Sequence, residues 1–161
     1  MKDYFSQKLG MLFCFDTRRK EWKAKFKRGS EQFEIELTID AEPSDFHTYI
    51  GKIENILEDY QRLPEGYLLQ RLTEAEKKER GDSSYLHWSE HEVFDEKTFK
   101  SNFQIYEWSF ELECLEDLED VKFEVSLEDV EEVYGGHYCY CDAVYHSASK
   151  DFTVSDIRIA G

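Results

Sequence analysis

His137, Cys139 and Cys141 occupy alternate positions, so an extended segment turns all three side chains the same way. Imidazole and thiolate are zinc ligands, but structural zinc sites take their cysteines from tight Cys-x2–4-Cys turns. Residues two apart on a flat strand are about 6.5 Å apart at Cα, which suits a closed tetrahedron poorly. The other thiols, Cys14 and Cys114, fall on predicted strands, where cysteine serves as a small buried hydrophobe. Neither a metal nor a cofactor is therefore expected, and the cysteines are read as free. His137 could move protons near neutral pH, yet after Gly135 and Gly136 its simpler role is to tie a glycine turn to a sheet. His87 and His91 would share one face of a helix but lack a third ligand, so they read as solvated surface. The sequence contains no Gly-x-Ser-x-Gly elbow, Gly-rich phosphate loop or His-Glu-x-x-His motif.

Charge is the stronger signal. The 161 residues carry 36 Asp and Glu against 20 Lys and Arg, a formal net charge of −16. Residues 1–30 run the other way, with nine Lys and Arg against three acids. From Glu111 to Glu132 there are eleven acids and one base, Lys122. A field of this sign repels a polyanion, so nucleic acid is not an expected partner. No run approaches the roughly 18 apolar residues of a membrane span, and the opening residues lack the apolar core of a signal peptide, so the expected address is the cytoplasm.

The elements that must position these charges follow from periodicity. Met11–Phe15, then Trp22, Ala24 and Phe26, then Phe33, Ile35, Leu37 and Ile39 read as an antiparallel meander with one wet face. The period becomes helical after Pro43, with Phe46, Tyr49, Ile50, Ile53, Ile56, Leu57 and Tyr60 three or four apart, Ser44 or Asp45 as cap, and a stop near Leu63 before Pro64. A second helix carries Leu68, Leu69, Leu72 and Ala75, and residues 84–102, with Tyr85, Trp88 and a cap at Asp95, suggest short helical pieces. Strands return from Phe103, with a change of phase near Glu107 and continuation to Cys114, then at Val121–Leu127, at Tyr138–Tyr145 and around Ile157 and Ile159. The expected fold is one α+β domain over 1–161. Its mainly antiparallel sheet combines an N-terminal meander with C-terminal strands, and two or three helices inserted in the middle pack on one face.

Both ends carry a resemblance. Tyr134-Gly135-Gly136-His137 followed by Asp156-Ile157-Arg158-Ile159-Ala160-Gly161, together with Leu12-Phe13-Cys14-Phe15-Asp16, a basic turn and Trp22, resembles the bacterial family catalogued as domain of unknown function 2262. The resemblance implies an α+β bacterial protein and brings no activity with it.

The function expected from these features is a non-enzymatic, acidic protein-binding module, an immunity-type inhibitor that blocks a basic bacterial toxin such as a nuclease. Glu111, Glu113, Glu116, Asp117, Glu119 and Asp120 are the candidate docking carboxylates, and Tyr138 and Tyr140 the candidate aromatic anchors. The alternative is a small-molecule or metal-dependent enzyme using His137 with Cys139 and Cys141.

Overall fold

Alternation of apolar and polar residues sorts the strands onto two faces. In β6 (Asp120–Asp129), Val121, Phe123, Val125 and Leu127 are buried, whereas Lys122, Glu124 and Glu128 are exposed. The same parity holds in β2 (Met11–Asp16), β3 (Glu21–Phe26) and β4 (Ile35–Asp40). A computed structural model describes residues 3–27, 34–79, 96–116, 119–130 and 138–160. These strands lie in an eight-stranded sheet completed by β1 (Asp3–Ser6), β5 (Phe103–Glu111), β7 (Tyr138–His146) and β8 (Asp151–Ala160), in sequence order from edge to edge.

Every neighbouring pair is antiparallel except β4 and β5, which run parallel. A parallel pair requires the chain to return to its starting end. Among the described residues, three helices lie in that return: α1 (Pro43–Arg62), α2 (Tyr67–Glu79) and α3 (Glu96–Asn102). The result is the expected α+β architecture, two four-stranded meanders with helices inserted between them.

Pro43 opens α1 at a position that has no need of its missing N–H, and the preceding Glu42, rather than Ser44 or Asp45, holds the N-cap position, without a side-chain cap bond. Leu63, extended ahead of Pro64, ends the helix. β1 leaves no periodic signal in the sequence, since four residues are too few for alternation to stand out. The strand after Phe103 slips register between Ile105 and Glu107, where the phase changes. It stops at Glu111 instead of reaching Cys114, because Leu112–Leu115 turns into a short helix, α4, with Leu115 buried. Cys114 is accordingly half-buried on a helix, and Cys14 is exposed, not a core residue. Tyr85, Trp88, the His87 and His91 pair and the expected cap Asp95 lie outside the described residues.

Helices α1 and α2 cover one face of the sheet. Trp22 stacks on Phe46 with centroids 3.8 Å apart. Fully buried Trp108 meets Tyr60 edge-on at 4.8 Å and Phe123 at 4.9 Å, with Phe152 at 6.2 Å. Tyrosine and serine hydroxyls tie strands to helices. Ser6 and Tyr4 both donate to Glu54, at 2.6 and 3.0 Å. Tyr145 donates to buried Asp59, and Tyr67 donates to Asp151.

The Asp151 tie has a pH signature. Hydrogen bonding from Tyr67, then from the Phe152 N–H, with Arg71 nearby, holds its carboxyl below the ordinary carboxylate value. A depressed value means the contribution is complete above the unfolded-state pKa of about 3.9 and is lost as pH falls through the folded-state value. Asp151→Asn is therefore expected to flatten the acid limb of a thermal-stability profile below about pH 4. Superimposable acid limbs for variant and wild type would refute the tie.

Candidate functional site

The other face of the sheet is not covered by α1 or α2, and its side chains are those of the opposite parity. Register places Asp16 beside Glu21, Glu21 beside Asp40, and Asp40 beside Glu111, so one row across β2, β3, β4 and β5 consists of four carboxylates on adjacent strands. Strand spacing sets successive members about 4.8 Å apart. Like charges placed directly opposite one another destabilise a sheet. Two of the four are compensated. Asp16 accepts from the backbone N–H groups of Arg18 and Arg19 at 2.9 and 3.2 Å, and these bonds, Arg19's first, hold its carboxyl below the ordinary value. Glu21 faces Lys23 at 3.5 Å and Arg19 at 3.7 Å. No ion pair reaches Asp40 or Glu111 among the described residues.

The acidic surface continues from that row. Glu113 and Glu116, on α4 and at its end, are exposed, and no ion pair reaches either of them among the described residues. Glu119 and Asp120 are exposed as well, Asp120 with His146 at 3.2 Å. Further along the uncovered face, Glu36 lies beside Glu107, and Glu124 beside Asp142. Glu107 is held by the hydroxyls of Thr38 at 2.8 Å and Ser109 at 3.3 Å. A depression of about 210 Å³ opens here, lined by Ser109, Glu111, Cys114, Lys122, Glu124 and Asp142, among others.

The basic N-terminal region neutralises this surface only in part: Arg19 and Lys23 serve Glu21, and Lys23 also serves Glu36, but no N-terminal cation pairs with Asp40, Glu111, Glu113 or Glu116 among the described residues. Lys8 pairs with Glu58 at 2.7 Å, Lys20 with Glu42 at 3.5 Å, and Lys23 with Glu36 at 3.3 Å. Their partners belong to α1, its approach and β4. On the acidic half, Lys122 and Arg158 serve Asp142 at 3.3 and 3.0 Å, and Arg158 also approaches Glu124 at 3.8 Å.

Of the two aromatic anchors expected from the sequence, only Tyr140 has a described side chain. Tyr140 is on the uncovered face but half-buried, with the Arg158 guanidinium 4.5 Å over its ring, so it is not an exposed anchor. Tyr138 begins β7, and its side chain, like Asp117, lies outside the described residues. The chain matches no protein-family model, no curated protein and no solved structure. What this surface can do is read from its own charges.

The enzyme alternative loses two of its three residues. Cys139 and Cys141 point into the core beneath the helices, and burial pushes both thiols up to about 12. His137 lies outside the described residues. Among the described residues, no three His, Cys, Asp or Glu side chains converge as metal ligands. At pH 8 a thiol with a pKa near 12 is ionised to roughly one part in 10⁴. A thiol reagent is thus expected to modify Cys14 and Cys114 in the native protein and to reach Cys139 and Cys141 only after unfolding. Rapid labelling of all four would mean the strand is not buried in this way.

The row through Asp16, Glu21, Asp40 and Glu111 is not legible in the sequence. Parity alone puts each of these residues on the wet face. The adjacency of Asp16, Glu21 and Asp40 depends on hairpin register, and that of Asp40 with Glu111 on the parallel pairing of β4 with β5, which joins segments separated by the whole helical insertion.

Proposed function

We propose that this chain is a non-enzymatic, acidic protein-binding module of the cytoplasm, an immunity-type inhibitor that covers the cationic cleft of a bacterial toxin such as a nuclease. The observation that carries this reading is the set Asp40, Glu111, Glu113 and Glu116, gathered at one end of the sheet and reached by no ion pair among the described residues. Carboxylates left without internal counter-ions repel one another and attract a cationic surface, and such steering raises association rates by about 10- to 1,000-fold at low salt. Nucleases need positive clefts to hold phosphate, so an acidic blocker competes for that path. No helix among the described residues is long and apolar enough to cross a membrane. The likeness of both chain ends to domain of unknown function 2262 belongs to the same proposal.

The test is the salt dependence of a complex formed in extracts of the source cells. A basic partner is expected to be retained at about 50 mM salt and released near about 500 mM, where the Debye length is only a few ångströms. Glu111→Gln/Glu113→Gln/Glu116→Gln is expected to slow association about tenfold at the lower salt. A partner held equally at both salts and by both proteins would overturn the reading.

A further inference from the structure

On the uncovered face of the two first strands, Phe5 and Leu12 are register partners, 57% and 50% exposed. Both point the same way as the carboxylate row, and Cys14, beside Leu12 in β2, is exposed with them. Two large apolar side chains held directly opposite each other in a rigid ladder lose little freedom on contact, which is what an interface anchor requires. We propose that the docking surface is the uncovered sheet face as a whole, and that its occupant is one folded cationic protein domain that receives Phe5 and Leu12 in an apolar hollow beside a lysine- and arginine-bearing ridge. The proposal rests on the acidic-module reading and extends it from electrostatic capture to an anchored complex.

Area and charge select the occupant. Eight strands at about 4.8 Å, and about six residues of each at about 3.3 Å, give a face of roughly 38 by 20 Å, on the order of 800 Å². This is what one partner contributes to an interface of standard size. A second copy stacked face to face about a central two-fold axis would set β4 over β5 and drive Glu36 and Asp40 against Glu107 and Glu111, burying like charges together. A cationic surface meets the same centre favourably. Lys25, exposed between the apolar pair and the acidic centre, fixes the orientation, since the partner must place an acceptor rather than a cation opposite it.

Cys14 offers a native attachment point for the test. The full chain carrying Cys114→Ser is labelled at Cys14 with a benzophenone and irradiated in extract of the source cells. A control carries the label at Gln61→Cys, on the exposed side of α1, with Cys14 and Cys114 changed to serine. The expected result is a protein of net positive charge captured from position 14 and not from position 61. Purified, that protein is expected to bind at least tenfold more weakly to Phe5→Ser/Leu12→Ser at both low and high salt, and to Asp40→Asn/Glu111→Gln mainly at low salt. If the acidic variant weakens the complex and the apolar variant does not, the acidic reading stands and the anchored surface falls. If neither does, or if no protein is captured, both fall. A dimer in light scattering that Phe5→Ser/Leu12→Ser dissociates would overturn the proposal in favour of a second copy. Phe5 and Leu12 are about half exposed, so the variant is expected to keep the wild-type circular dichroism and melting temperature, and a shift in either would itself overturn their assignment as surface anchors.

Discussion

Replacing Trp108 with alanine is expected to lower folding stability by about 3–5 kcal/mol, the larger of two effects that follow from the core. Trp108 is fully buried at the middle of the sheet, and Tyr60, Phe123, Phe26 and Phe152 surround it. No single neighbour can move to fill the space, because each also packs elsewhere: Tyr60 against Phe26 and Phe152, and Phe123 against Phe110. The indole N–H is buried without an acceptor among the described residues. Trp108→Phe therefore keeps much of the apolar contact while removing an unsatisfied donor, and is expected to lose well under half as much. Urea denaturation at constant m-value distinguishes these outcomes. An alanine variant within about 1 kcal/mol of wild type would show that the aromatic cluster does not centre on this residue.

The second large effect concerns the hydroxyl that joins β7 to α1. Tyr145 donates to Asp59, a buried carboxylate whose other oxygen takes Arg62 at 3.3 Å. Tyr145→Phe leaves that carboxylate short of a donor and is expected to destabilise by about 1–3 kcal/mol. Removing both polar groups, as Tyr145→Phe/Asp59→Leu, should recover part of the loss, because an apolar pair leaves nothing unsatisfied. Additive losses across the cycle would show that the two groups are uncoupled. Burial first, then the Asp59 hydrogen bond, pushes the Tyr145 phenol above its ordinary value. A raised folded-state value gives a contribution that is complete below the unfolded-state pKa of about 10 and is lost as pH rises through the folded-state value. The wild type should therefore fall more steeply than Tyr145→Phe in alkaline solution.

Periodicity is sufficient wherever an element is long and one of its faces is wet. The α1 pattern from Phe46 to Tyr60, and the β6 alternation from Val121 to Leu127, stand in the structure at the expected positions. Both patterns arise from burial on one side only, which is a local property of the residues themselves. Signals fail where the outcome depends on a distant segment. Cys14 and Phe5 are apolar by type but face solvent, since neither α1 nor α2 lies over their side of the sheet. The eleven acids from Glu111 onward are visible as a tract. Their extension through Asp40 and Glu21 is not, because side-chain parity assigns a face without naming a neighbour. Leu112 and Cys114 continue the strand alternation by residue type, and the burial of Leu115 under α1, where Lys52 donates to its carbonyl, turns that segment into helix instead.

The single parallel pairing has an entropic consequence for the whole architecture. Leu37 and Trp108, neighbours in it, are 71 positions apart in the chain. Closing a flexible loop of that length costs about 2.5 kcal/mol more than closing one of four residues, on the (3/2)RT ln n scaling. Five residues of β4 meet five of β5 there. The side chains of Leu37, Ile39, Trp108 and Phe110, on the helix-covered side of that seam, are all within 1% of complete burial. Fully buried apolar packing thus accompanies the backbone ladder at the seam that faces the greatest chain-entropy penalty, and both contribute to keeping the two halves of the sheet joined.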